Sequence, residues 1–206
     1  YLYRVGTARV TRRGEPWGLQ GEAYRMTAAE LTEEVAPTLD QPDGVPGSRT
    51  LFETMRRTMA DDPRDTLVFI HGFASTFASA MERAAELTDA YLSPDTDPAT
   101  GGLTRGARAP LAFAFAWPSD GEVLFGDDAN SGWAYSGDRE DARASGLAMA
   151  RCALRLFDFL AELRTSTRCH QRLHLVAHSM GNWALRHAAQ ALADIAAAQG
   201  RPLAPV

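Results

Sequence analysis

The sequence contains no lysine, so all 21 of its basic side chains are arginines. These arginines are scattered along the chain, and the formal net charge at pH 7 is −5. A nucleic-acid-binding surface would instead show as a basic patch or stripe. The charge balance therefore argues against nucleic acid as a partner, and we attribute the absence of lysine to codon usage rather than to phosphate binding.

Cysteine and long apolar segments are also scarce. Cys152 and Cys169 are the only two cysteines, and they form neither a CxxC pair nor a disulfide framework, which favours a reducing compartment. No apolar run approaches the roughly 18 residues of a membrane span. We expect a cytoplasmic protein without a transmembrane segment, although the possibility of a removed leader stays open because the chain begins at Tyr1.

After residue 65 the sequence alternates three times between a short apolar run and a helical pattern. The apolar runs are Thr66–Ile70, Leu111–Ala116 and Leu173–Ala177. Such runs are typical of strands that are buried on both faces of a parallel sheet. Helices are predicted from about Ser75 to Tyr91, from Asp138 as capping residue to about Leu163, and from about Met180 to Ala198. The pattern predicts one α/β domain over residues 1–206, with a mostly parallel sheet and helices on both faces.

The first 65 residues give a weaker pattern. Tyr1–Thr11 and Gly21–Met26 favour short strands, whereas Thr27–Val35 favours a short helix. A further helical pattern begins at Ser48 and breaks near Asp61.

The segment Ala177-His178-Ser179-Met180-Gly181 lies between a buried strand and a long helix. This context is typical of a nucleophile elbow, a tight turn that exposes a serine hydroxyl above the carboxyl edge of the sheet. Small residues two positions before and after the serine avoid a clash where strand and helix cross. We predict Ser179 as the nucleophile. The N–H of Met180, at a helix N-terminus, is predicted to bind a developing oxyanion.

A second motif, His71-Gly72-Phe73, follows the first buried strand. In this kind of fold the loop at that place supplies the other oxyanion donor from its backbone. We predict the N–H of Phe73 as this donor, with that of Ala74 as the alternative. Gly72 is expected to let the chain turn back toward the serine. His71 is expected to hold the loop by hydrogen bonding rather than to transfer protons.

A loop with acidic and aromatic residues is predicted between Pro118 and Gly137. Its large apolar and aromatic side chains are Leu124, Phe125, Trp133 and Tyr135. The loop leaves the carboxyl end of a strand, where ligands bind in such sheets, so it can form a lid or wall over an acyl pocket. An equally weighted interpretation is a solvated loop whose aromatic residues fill a gap in the core.

Four blocks occur in this order: TLVFIHGFASTFASAMERAAEL, AFAFAWPSDG, YSGDREDARAS and LHLVAHSMGNWAL. Together with the opening YLYRVGTAR, they resemble the uncharacterised bacterial α/β-hydrolases of the DUF900 type over roughly Tyr1–Leu185. The resemblance implies the α/β-hydrolase fold and an esterase-like serine hydrolase with Ser179 as nucleophile. It also implies that no metal and no organic cofactor takes part, and it indicates no particular substrate.

The catalytic acid and base are not evident in this sequence. In the α/β-hydrolase fold the acid and then the histidine follow the nucleophile in chain order. After Ser179 the chain offers only His187 and Asp194, both within the last predicted helix. We therefore expect an incomplete domain, whose sheet and site are completed by further polypeptide beyond Val206 or by a second chain.

Two functions are consistent with these motifs. The favoured one is hydrolysis of a small-molecule or lipid-like carboxyl ester through an acyl-Ser179 intermediate. The alternative is a non-catalytic binding or interaction module that has kept the elbow but lacks a complete triad.

Overall fold

The computed structural model describes residues 4–12, 24–33, 47–60, 64–90, 99–100, 110–119, 131–167 and 171–200. Their elements are, in order, β1 (Arg4–Arg12), β2 (Tyr24–Glu33), α1 (Gly47–Ala60), β3 (Thr66–Ile70), α2 (Phe77–Ala90), β4 (Leu111–Phe115), α3 (Ser131–Thr167), β5 (Leu173–Ala177) and α4 (Gly181–Ala198). Among these helices, none combines the length and the apolar composition needed to traverse a lipid bilayer.

The three apolar runs form one parallel sheet in the order β4-β3-β5, which confirms the predicted sheet type. Ile70 at the end of β3 is paired with Phe115 of β4 and with Ala177 of β5. The segments that follow all three strands therefore leave the sheet at the same edge. This alignment brings the HGF motif and the Ser179 turn together.

Helices cover both faces of this sheet, as predicted. Leu67 and Phe69 of β3 pack with Ala84 of α2 on one face. On the other face, Ile70 packs with residues of α3 and α4, and Leu111 of β4 packs with residues of α1 and α3. Leu67 and Ile70 are completely buried, and burial of each such side chain contributes about 1.5–3 kcal/mol. Side chains on both faces of β3, the strand that precedes the HGF motif, are thus packed against helices.

Within the described residues, β5 is paired with β3 on one side only. Leu175, in the middle of β5, is 45% exposed. An unpaired strand edge offers free N–H and C=O groups to another strand. The expected completion of the sheet on this side stays a prediction, because residues 201–206 lie outside the described part of the chain.

The helix predicted over Thr27–Val35 is wrong, because residues 27–33 belong to β2. This strand pairs antiparallel with β1, and Thr7 lies opposite Glu30. The hairpin is attached to α2 through the Tyr24 hydroxyl, which donates to Asp89 Oδ2 at 2.9 Å. Pairing with a neighbouring strand overrides the helical preference of the alanine and glutamate residues in this segment.

The start predicted at Asp138 for the helix before β5 is also wrong. α3 begins at Ser131, so Asp138 lies inside the helix rather than at its cap. The expected loop up to Gly137 is therefore shorter, and Trp133 and Tyr135 are helical. Asp138 is buried with 1% exposure, and its carboxylate binds groups outside the helix. A tertiary contact, not a cap, explains the aspartate at this position.

Candidate active site

The turn between β5 and α4 has the backbone expected of a nucleophile elbow. Ser179 has φ +50°, in the left-handed region, which costs a non-glycine residue about 1–2 kcal/mol. The residue is exposed, whereas the following Met180 is buried. The predicted strained turn with an accessible serine is confirmed, and the catalytic role of the serine remains a proposal.

Hydrogen bonds on both sides hold this turn in place. His178 N–H donates to Ile70 O at 2.9 Å, so the turn is attached to the end of β3. Asn182 Nδ2 donates to Ala177 O and Ser179 O, both at 3.1 Å. Asn182 was not predicted as a site residue. Its position three residues after the turn serine could have indicated this role, because asparagine side chains often bond to nearby backbone groups.

Two glycines allow the HGF loop and the elbow to approach each other closely. A methyl group on Gly181 would lie 2.6 Å from both His71 O and Ile70 O. One on Gly72 would lie 2.8 Å from Ser179 Cβ. The predicted steric reason for a small residue at 181 is therefore found. Gly72 is needed for this close approach rather than for chain flexibility, because its φ is not positive.

Hydrogen bonding to protein acceptors distinguishes the two predicted oxyanion donors of the HGF loop, which are the N–H groups of Phe73 and Ala74. The N–H of Ala74 donates to Asp138 Oδ2 at 3.1 Å and is therefore occupied. Within the described part of the chain, the N–H groups of Phe73 and Met180 donate to no protein acceptor. Both belong to segments at the carboxyl edge of the sheet. This favours Phe73 over Ala74 as partner of Met180 in binding an oxyanion.

The buried carboxylate of Asp138 organises the HGF loop from outside. Its Oδ2 accepts from Ala74 N–H and, at 2.5 Å, from the hydroxyl of Ser119. Ala74 has φ +54°, a second left-handed non-glycine residue at this edge. Sequence reasoning missed both Asp138 and Ser119 as site residues, although each lies in a block of the family resemblance. What the sequence could not show is that these blocks meet.

His71 connects the loop after β3 with the segment after β4. Its Nδ1 lies 2.9 Å from Gly72 O, and its Nε2 lies 3.0 Å from both N and O of Trp117. With the proton on Nδ1, the neutral ring donates to Gly72 O and accepts from Trp117 N–H, and burial lowers the pKa of His71 below its usual value. The indole Nε1 of Trp117 in turn donates to His71 O at 2.9 Å. Since both ring nitrogens are engaged, His71 supports the loop and is unsuited to transfer protons.

His174, His187 and Asp194 do not complete a triad with Ser179. His174 Nε2 lies 2.9 Å from Asp65 Oδ2, at the amino end of the sheet. The ring of His187 packs edge-on against Trp183 on α4, with 4.9 Å between the ring centroids. Asp194 accepts from Gln190 further along α4. His170 lies outside the described residues.

An open groove of about 530 Å³ lies beside Ser179 and is lined by residues of α3 and α4. Tyr135 lines it and also contacts Phe73 edge-on, with 5.3 Å between the ring centroids. This position favours a wall over a core-filling role for Tyr135, which is 51% exposed. Leu124 and Phe125 lie outside the described residues, as does the side chain of Trp133.

Metal-ligating side chains do not gather at this site. In the part of the chain that the structure describes, no three His, Cys, Asp or Glu side chains lie close enough together to hold a metal ion. The chemistry that the described groups supply is therefore a serine hydroxyl, two unpaired backbone N–H groups and a groove beside them.

Comparison with known proteins agrees with this geometry at the level of the family. The model of a family described as alpha/beta hydrolase of unknown function (DUF900) matches residues 49–203. No curated protein and no solved structure matches the chain. The family match includes every strand of the parallel sheet, the HGF motif and the Ser179 turn. Because it spans more than half of the 206 residues, the chain belongs to the DUF900 family of alpha/beta hydrolases.

Proposed function

We propose that this protein is a serine hydrolase that cleaves carboxyl esters through an acyl-Ser179 intermediate. The observation that carries the proposal is the elbow itself. An exposed serine is held at φ +50° at the start of a helix, with the unpaired N–H groups of Met180 and Phe73 on the two adjoining segments. A strained, exposed nucleophile next to free backbone donors is the arrangement that acyl transfer requires.

The reaction proceeds in two steps. Ser179 Oγ attacks the ester carbonyl carbon and gives up its proton to a general base. The carbonyl oxygen becomes an oxyanion that accepts hydrogen bonds from Phe73 N–H and Met180 N–H. The tetrahedral intermediate then expels the alcohol, which takes up the proton, and leaves the acyl-enzyme. Water, deprotonated by the same base, attacks the acyl carbon and releases the carboxylic acid and free Ser179.

The general base and its acid partner come, in this proposal, from polypeptide that pairs with the open side of β5. Such a segment would end at the same edge as Ala177 and so reach Ser179. His71 is excluded from this role by the backbone contacts of both its ring nitrogens, and His174 by its position at the other end of the sheet. Either a continuation of the chain or a second chain satisfies this requirement.

Labelling with a fluorophosphonate probe tests the proposal directly. We expect the native full-length protein to form one covalent adduct, and peptide mass mapping to locate it on Ser179. Heat-denatured protein is the control and should not react, because activation depends on the folded turn and its neighbouring base. Absence of any adduct on the native protein, or an adduct on another serine, would contradict the proposal.

A second candidate function is a binding module without catalysis. The observation that favours it is that the contacts of His71, His174 and His187 do not place these residues to act on Ser179. This candidate predicts an intact groove that binds ligands but a serine that stays unlabelled. The fluorophosphonate result therefore decides between the two functions.

Removal of the Asp138 carboxylate should impair the oxyanion loop. We expect Asp138→Ala to lower kcat about 10- to 100-fold with little change in KM, because displaced donors bind the transition state more than the substrate. Asp138 acts through Ala74, so it is a positioning residue. Asp138→Asn should recover part of the rate, since an amide oxygen can still accept from the Ala74 N–H.

The matched control for Asp138 is Glu140→Gln, two residues along α3. Glu140 is exposed and forms a surface ion pair with Arg143, which is worth at most about 1 kcal/mol. Its replacement should leave kcat and KM unchanged. Equal losses in the Asp138 and Glu140 variants, or a rise in KM alone, would show that Asp138 does not position the loop.

A further inference from the structure

Two arginines and a tryptophan line the groove beside Ser179. The Arg139 guanidinium lies 4.3 Å from the centroid of the Trp183 ring, and that of Arg186 lies 5.5 Å from it. Both distances fall within the range of cation–π attraction. Arg139 comes from α3, whereas Trp183 and Arg186 come from α4. The groove therefore presents two positive charges whose positions are set by one aromatic ring.

The packing of α3 on α4 explains why these residues meet. A methyl group on Gly146 would lie 2.7 Å from His187 Cβ, so the two helices are in close contact at this point. Arg139 lies two turns before Gly146, and Trp183 lies one turn before His187. The helix contact thus fixes the arginine over the ring, close to the start of α4 and to Ser179.

Neither arginine is neutralised within the described part of the chain. Arg139 and Arg186 form no ion pair with a described carboxylate, and no aspartate or glutamate lines the groove. By contrast, Arg143, one turn further along α3, is paired with Glu140 at 2.8 Å. Both groove arginines are exposed and can reach a ligand. Within the described residues, the groove therefore has two positive charges that no carboxylate neutralises.

We infer that the ester cleaved at Ser179 carries an anionic oxygen-containing group, such as a carboxylate or a phosphate, that binds Arg139 and Arg186. This inference rests on the proposed function for the ester and adds the charge of the substrate to it. Guanidinium groups match the geometry of carboxylate and phosphate and bind them with paired hydrogen bonds. Two such groups beside the nucleophile favour an anionic substrate over a neutral one of the same shape. A purely packing role for the arginines predicts no such discrimination.

Matched ester pairs measure this discrimination in the full-length protein at low ionic strength. In the first pair, mono-4-nitrophenyl glutarate and 4-nitrophenyl pentanoate differ by a terminal carboxylate on the acyl side. In the second, 4-(butanoyloxy)benzoate and its methyl ester differ on the alcohol side. We expect kcat/KM to be about fivefold or more higher for the anionic member of at least one pair.

Substitution of the arginines then tests their part in this preference. The double variant Arg139→Gln, Arg186→Gln should abolish the preference for the anionic member, because both charges are removed. Arg143→Gln, on the same helix and already paired with Glu140, should retain it. No preference in either pair, or an unchanged preference in the double variant, would overturn the inference.

Failure of the proposed hydrolysis can be separated from failure of this inference. If neither ester pair is turned over, binding is measured without chemistry by calorimetric titration of glutarate and of phenyl phosphate into the full-length protein. We expect at least one of the two anions to bind, and the double variant to weaken that binding about fivefold. Equal binding by both proteins, or binding of neither anion, would overturn the inference even if the elbow proves to be catalytic.

Discussion

Replacing Ser179 with alanine should lower the turnover of 4-nitrophenyl esters by about 10⁴-fold or more. In the proposed mechanism the hydroxyl forms the acyl-enzyme, and the unpaired N–H of Met180 follows it directly in the chain. The free energy of unfolding should change little, because alanine occupies the same left-handed backbone as serine and the hydroxyl is exposed.

Ser79→Ala is the matched control for this variant. Ser79 is exposed on α2, and its hydroxyl bonds only to Thr76 within the local turn. It should retain the wild-type rate. A Ser179→Ala protein with substantial, saturable turnover would exclude Ser179 as the nucleophile and leave the family's elbow without a covalent role in this chain.

Gly181→Ala should disrupt both the fold around the elbow and the activity. The added methyl group would lie 2.6 Å from two carbonyl oxygens, those of Ile70 and His71, and neither can move without displacing the end of β3. We expect the free energy of unfolding to fall by roughly 1–3 kcal/mol. We expect kcat to fall by about 10²-fold, since a displacement of 1 Å at the reacting groups has that effect. Chemical denaturation and ester turnover measure the two quantities.

The sign of the change in the free energy of unfolding distinguishes a steric clash at residue 181 from an effect of helix propensity. Within a helix, alanine is favoured over glycine by about 1 kcal/mol, so helix propensity alone predicts that Gly181→Ala stabilises the protein. Gly137→Ala in α3 provides the comparison, because no heavy atom lies within 4 Å of the added methyl group. It should raise the free energy of unfolding. Stabilisation by both substitutions would show that the loop and the elbow are not in the close contact described.

The sheet and its order of helices and strands were predictable because each signal is local. Thr66–Ile70 and Leu173–Ala177 are continuous apolar runs, each followed by a helical pattern, and such alternation leaves few arrangements. The β1–β2 hairpin was harder to predict from the sequence. The residues after Tyr24 include alanines and glutamates that favour a helix, and their pairing with β1 is a tertiary effect that a local pattern does not contain.

The same distinction applies to the site. The positions of the Ser179 turn and of the HGF loop were predictable because each is set by the strand and helix that flank it directly. Asp138 was interpreted as a cap, and aspartate is a favoured residue at helix N-caps. Its actual partner is Ala74, 64 residues earlier in the chain. The contact between Arg139 and Trp183 was missed for the same reason, since it depends on how α3 packs against α4.

Because Ser179 has a left-handed backbone, selection for stability and selection for the proposed hydrolysis favour different residues at this position. Glycine adopts this conformation without strain, so drift toward a more stable fold favours glycine there, and only a requirement for the hydroxyl opposes that drift. A family member without the proposed catalysis is therefore expected to lose the serine early, while the buried glycine at 181 persists. The residue at this turn then indicates whether a family member depends on the proposed covalent chemistry.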